Sequence, residues 1–245
     1  MEATVTSERD RELSLVEHLE ELRKRLYVAA VGVLVTTVFA FLFSTDLVRF
    51  LLVPSGVDRC IALSPTENFT TFMQVSLFAG IALAMPLILY EIYSYIDPAL
   101  MPHERRFALI TGPFVLALFV GGMAFCYYLL LPNSLKFLLN FGSAVIENQL
   151  RCAEYLSFVT TFVLGVGIIF EMPAIIVALI RVGVIPRQRL ASARRYVFLG
   201  TFLLGALITP TPDPFNQSLV ALPMYLLFEL GMLISRFVGG PRVAA

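Results

Sequence analysis

Six stretches of this chain carry almost no charge: Leu26–Phe43, Phe69–Tyr93, Phe107–Leu131, Tyr155–Val182, Tyr196–Ile208 and Phe215–Ile234. A helix needs roughly 20 apolar residues to cross about 30 Å of hydrocarbon. Five of the six are long enough to do so. The fifth, with 13 residues, reaches only about 20 Å at 1.5 Å per residue, so the bilayer has to thin beside it or its polar edges sink inward. Composition closes off the soluble alternative. Only 15% of residues are charged and 58% are hydrophobic, against about 25% charged in an ordinary soluble domain. The expected fold class is therefore an all-α integral membrane protein with six transmembrane helices, forming a single transmembrane domain over residues 1–245.

Charge distribution orients it. With the amino terminus in the cytoplasm and all six segments crossing, the inner side holds fourteen Lys and Arg and the outer side four, accounting for all eighteen. That is a strong positive-inside bias, with both termini inside. Removing the fifth crossing would carry Arg236 and Arg242 to the outside, so the short segment is read as a span. Zero formal net charge gives no pull towards nucleic acid. The first charge-free run starts only at Leu26, so no cleavable signal peptide is expected.

Residues 1–13 read as a polar tail and 14–26 as an interfacial amphipathic helix. Ser14 and Glu17 fit a capping box, and Leu15, Leu19, Leu22 and Leu26 form one apolar stripe. Glu20 and Glu21 stand four residues before Lys24 and Arg25, the favourable order for helical ion pairs. Pro86, Pro113, Pro173 and Pro223 lie within spans and are expected to bend them, giving a kinked bundle. Loops 44–68 and 132–154 are long enough to form an extracytoplasmic cap. Cys60 and Cys152 fall in those two loops and are expected to be bridged or close, free thiols being the alternative. Cys126 lies within the third span and reads as a packing residue.

Glu171, alone in GVGIIFEMPAIIVALI, is the foremost functional candidate. An unpaired charge at the bilayer centre costs about 3 kcal/mol on insertion scales, so this acid is either protonated, hydrogen-bonded to a neighbour, or facing a water-filled concavity. A neutral glutamate bonding across helices is the plainer reading, an acid lining a path or binding face the functional one. A second group is Glu20, Glu21, Arg23, Lys24 and Arg25 at the membrane surface, where a solvated, ion-paired helix is the plainer reading. A third is YSYIDPALMPHERR at 93–106, with Glu104 beside His103, Arg105 and Arg106. Together the last two put acids on two inner elements, where a cationic peptide could be held by arginine–carboxylate contacts. Catalytic signatures are missing: there is no phosphate loop and no HExxH, and His18 and His103 do not show a metal-ligand spacing. No cofactor or metal is expected. A secondary transporter or channel using Glu171 as an ion site is the competing reading, weakened by the lack of an inverted repeat.

HLEELRKRL at 18–26, PALMPHERR at 98–106, SFVTTFVLGVGIIFEMP at 157–173, LITPTPDPFNQ at 207–217 and ALPMYLLFELG at 221–231 together resemble the TatC component of the twin-arginine protein translocase. The resemblance runs over nearly the whole chain. It implies a concave, glove-like arrangement in a cytoplasmic (inner) membrane, with a bacterial source favoured over an archaeal one, and a receptor for signal peptides bearing consecutive arginines. It also implies export of folded proteins driven by the proton-motive force, TatA-type and TatB-type single-span partners, and self-association. Residue by residue, Glu21 and Glu104 match the acids that recognise the arginine pair, and Arg23 and Arg25 match the basic positions beside them. Glu171 matches the intramembrane glutamate of the concave face, and Asp213 and Gln217 match polar positions opening the sixth helix. The sequence departs from the family's aromatic-rich QxWxF: Glu91 stands for the usual glutamine and Tyr95 for phenylalanine, while Asp97 replaces a small residue. All three lie close to the proposed arginine site.

Overall fold

The computed structural model describes residues 15–57, 59–97, 102–141, 149–209 and 213–238, and their side chains except at 15–16, 102–110 and 238. It is built of helices: α1 (Leu15–Leu42), α2 (Ser44–Leu52), α3 (Pro65–Ile96), α4 (Pro102–Phe125), α5 (Leu131–Asn140), α6 (Cys152–Ile169), α7 (Met172–Arg181), α8 (Arg187–Ser192), α9 (Arg194–Ile208) and α10 (Pro214–Val238). Among the described residues the only extended pairing is a single bridge between Ile61 and Arg151. Among the described residues five helical stretches are long and apolar enough to cross a membrane: Glu17–Leu42, Pro65–Ile96, Thr111–Asn140, Cys152–Arg181 and Pro214–Phe237. Large apolar side chains stand exposed along them, including Leu34, Val38 and Leu42 on α1 and Leu222, Leu226 and Leu233 on α10. Such faces call for lipid or packed partner helices, and with these long apolar helices the chain is a multi-pass membrane protein.

The helix boundaries refine the expected elements. α1 runs unbroken for 28 residues, so the stretch expected to lie along the interface is the first part of the span helix itself. Its expected cap, Ser14, lies outside the described residues. The prolines act unequally. α3, α4 and α10 continue through Pro86, Pro113 and Pro223. At Pro173 the helix breaks, and α6 ends at Ile169 while α7 starts at Met172. Pro173 has no N–H for the carbonyl four residues back, which favours a stop there. The third span continues nine residues past Leu131, to Asn140. A π-turn over Cys126–Leu130 sits just ahead of Pro132 and absorbs the ring's clash with the preceding turn. Buried Leu131, Ser134 and Leu135 keep the extension packed.

The helices pack as an open row. α1 lies along α3, α3 and α4 lie on α6, and α10 lies between α7 and α9. The seam between α1 and α3 is tight. A Cβ on Gly80 would sit 2.6 Å from the Thr37 Cα, and the Thr36 hydroxyl donates to the Gly80 carbonyl at 2.8 Å. Glycine is required there because the two backbones touch. Phe119, Leu156, Val159 and Phe162 fill the centre around α6. At one end of α10, Phe215 stacks on Phe137 of α5 at 4.3 Å. Towards the other end, Met232 joins Ile176, Ile180 and, at its edge, Leu190 of α8.

Elements between the spans close one end of the row as a cap. Cys60 and Cys152 are joined by a disulfide, with Cα atoms 5.0 Å apart. Beside it Ile61 donates to the Leu150 carbonyl and Cys152 to the Ile61 carbonyl, both at 2.9 Å. Tyr127 and Tyr155 donate to the Phe50 and Leu51 carbonyls at 2.7 and 2.8 Å. These two bonds tie α2 onto the third and fourth spans.

Candidate functional site

At the amino-terminal end of α1, Glu21 and Arg25 share a face because they are one helical turn apart. Two N–H groups of the Arg25 guanidinium reach one oxygen of Glu21, Nη2 at 2.7 Å and Nε at 3.1 Å. The third nitrogen, Nη1, donates to Glu91 on α3 at 3.1 Å. All three side chains are half-buried, Glu91 most deeply at 12% exposed. Among the described side chains the group has two carboxylates to one cation, a surplus of one negative charge, at the crossing of two helices. Ion pairs of this kind gain strength as solvent is excluded.

One turn beyond Glu91 along α3, Tyr95 stacks on His18 of α1 with ring centroids 4.5 Å apart. The two contacts fix the register of α1 on α3 and line up Glu21, Arg25, Glu91, His18 and Tyr95 along one seam. Arg23 points away from it and is exposed. Glu104 lies in the first turn of α4, but its side chain is outside the described ones, as are those of His103, Arg105 and Arg106.

Glu171 is not part of that group. It sits at the break between α6 and α7, 5% exposed, in the position that caps α7. Neither carboxylate oxygen has a hydrogen-bond partner among the described residues. The positive end of the α7 dipole favours a negative charge there. Asp213 and Gln217 are engaged internally. Asp213 accepts from the Asn216 backbone N–H at 2.7 Å and from its side-chain amide at 2.9 Å, capping α10. Gln217 donates to the Phe202 carbonyl at 2.9 Å and so ties α10 to α9.

Two further ionic groups were not singled out in the sequence. In the cap, buried Glu67 accepts from the Leu63 N–H at 2.9 Å and from Arg151 Nε at 3.1 Å, and Arg151 also pairs with Glu154 at 2.8 Å. Hydrogen bonds to Glu67 and Glu154 hold the Arg151 guanidinium above its ordinary pKa. At the opposite end, Arg194 pairs with Glu229 at 2.8 Å and Tyr225 donates to the same carboxylate at 3.1 Å. Glu229 carries the signal that marked Glu171, an acid inside an apolar run. Glu91 shows in the sequence only as an acid where the family has glutamine. No group of three or more His, Cys, Asp or Glu among the described residues is arranged to hold a metal.

Known proteins resemble this chain over most of its length. A family model described as "Sec-independent protein translocase protein (TatC)" matches residues 17–223. The protein of that name from Synechocystis sp. is 37% identical over 233 residues, covering 94% of this chain and 91% of the relative. Its Escherichia coli K12 counterpart is 36% identical over 232 residues, covering 92% and 89%. A crystal structure described as "Twin Arginine Translocase Receptor- TatC" superposes with a TM-score of 0.81 at 36% identity, over 91% of this chain and 99% of that one. The chain belongs to the TatC family of Sec-independent protein translocase proteins.

Proposed function

We propose that this protein is the signal-peptide receptor of a twin-arginine translocase. It binds the consecutive arginines of a signal peptide on a folded cargo protein and gathers TatA-type and TatB-type single-span partners and further copies of itself. Export then draws on the proton-motive force. The protein lies in the bacterial inner membrane with six crossings, both termini cytoplasmic and the disulfide-bearing cap outside. The observation that carries the reading is the half-buried Glu21, whose carboxylate holds a guanidinium at 2.7 Å in this structure. A site that fits one arginine side chain has the chemistry to accept another.

Glu21 and Glu104 are the recognising acids; Arg25 and Tyr95 lie on the same seam as Glu21, and Arg23 stands exposed at the surface beside it. Glu171, with Asp213 and Gln217 at the start of α10, serves the face on which partner helices dock. The test is binding of a labelled twin-arginine peptide to the protein in lipid nanodiscs. Glu21→Ala with Glu104→Ala is expected to abolish crosslinking to that peptide, and a twin-lysine peptide to bind at least tenfold more weakly. Retained binding by the double variant would sink the site assignment. Glu171→Ala is expected to insert normally and lose partner assembly or export, and unchanged export refutes its docking role.

A further inference from the structure

The guanidinium found on Glu21 belongs to the chain itself. We infer that Arg25 is an internal occupant of the signal-arginine site, which the incoming peptide must displace, and that Glu91 is a further carboxylate of that site. This rests on the receptor reading above and deepens it.

The geometry supplies the argument. Arg25 spends Nε and Nη2 on Glu21 and Nη1 on Glu91, so one fork joins two helices. An ammonium could not do this, because it lacks the planar set of donors. The two acids are placed to grip a guanidinium from both sides, and their surplus negative charge attracts a second cation. The α1–α3 seam at Thr36 and Gly80 and the His18–Tyr95 stack hold α1 against α3, so the distance between Glu21 and Glu91 is set by packing rather than by Arg25. Because Arg25 is tethered one helical turn from Glu21, its effective concentration at the site is far above that of any free peptide. It therefore lowers the apparent affinity and raises selectivity, since only a ligand with the same fork matches what it replaces. Arg25 is still partly exposed, at 26%, so once displaced its long side chain can reach towards the lipid phosphates at the surface.

The two residues are thereby assigned opposite effects on one measurement. Full-length protein in nanodiscs of neutral lipid is titrated with a fluorescent twin-arginine peptide and with its twin-lysine counterpart. Arg25→Gln is expected to tighten twin-arginine binding at least threefold, because the competitor is gone. Glu91→Gln is expected to weaken it at least threefold and to narrow the preference for arginine over lysine. Should Arg25→Gln fail to insert, Arg25→Lys is read in its place with the same sign. Glu21→Gln tests the underlying reading separately. If it leaves binding intact, the receptor site is misplaced and the inference falls with it. If it abolishes binding while Arg25→Gln is neutral or weakening, or Glu91→Gln is neutral, the receptor site stands and the inference is overturned.

Discussion

Glu229 lies within the apolar length of α10, and Arg194 reaches it from the first turn of α9 while Tyr225 donates from one turn earlier. Both charged side chains are partly exposed, at 43% for Arg194 and 33% for Glu229, so solvent screens the pair and its coupling should be about 1 kcal/mol. A double-mutant cycle with Arg194→Ala and Glu229→Ala, read by thermal unfolding in detergent, should return that coupling. Additive effects would show that the pair does not act as one. Glu171 is the opposite case. It is buried without a partner among the described residues, so it costs stability rather than adding it. Glu171→Leu is expected to raise the melting temperature of the isolated chain while abolishing export, and a lower melting temperature would show that the carboxyl has a structural partner. The sequence made Glu171 conspicuous because no cation lies near it in the chain. Glu229 is equally lone in its run, but its partner comes from another helix 35 residues away. Arg25 and Glu91 are 66 residues apart. Only the α1–α3 crossing, which no local pattern encodes, brings those two together.

Apolar runs longer than 17 residues announce helices, and five of the six expected spans lie on stretches with the length and hydropathy to cross. Their ends were less legible. The third span was expected to stop at Leu131, yet the π-turn before Pro132 lets the helix go on. The break in the fourth span could be expected from Pro173, but Pro86, Pro113 and Pro223 offered the same signal and their helices continue. Packing against neighbours, not proline alone, decides which helix parts. Packing is also unforgiving at Gly80, where an added methyl would meet the Thr37 backbone within 3 Å. Gly80→Ala should therefore push α1 from α3 and cost about 1–3 kcal/mol, seen as a lower melting temperature and faster proteolysis near the α1–α3 seam. No change would mean that α1 slides without penalty. In the cap, the disulfide leaves Cys126 as the one free thiol. Denatured protein should titrate one thiol before reduction and three after, and three at the outset would exclude the bridge.

At the scale of the whole molecule the question is whether α9 crosses. It has 15 residues, about 22 Å of helix, and is shorter than the hydrocarbon it would have to span. Composition alone could not resolve this, and the charge distribution resolved it only by assuming that arginines stay inside. The contacts add an independent argument. α10 begins beside α5, where Phe215 stacks on Phe137, and its far half packs with Leu190 of α8. The chain leaves α8, runs through α9 and enters α10 at the α5 end, so α9 covers the distance between the two ends of α10. The Gln217 bond to the Phe202 carbonyl and the Arg194–Glu229 pair hold α9 against α10 at two levels, which suits a short helix in a locally thinned bilayer. Single cysteines at Glu17, Asn133, Gln188 and Arg236, all on exposed positions, can be labelled in sealed vesicles with a membrane-impermeant maleimide. Native background is low, because Cys60 and Cys152 are bonded and Cys126 is buried. Six crossings predict that Glu17→Cys, Gln188→Cys and Arg236→Cys label from one side and Asn133→Cys from the other. If Arg236→Cys labels together with Asn133→Cys, α9 does not cross, and the carboxy-terminal end of α10 lies on the cap side.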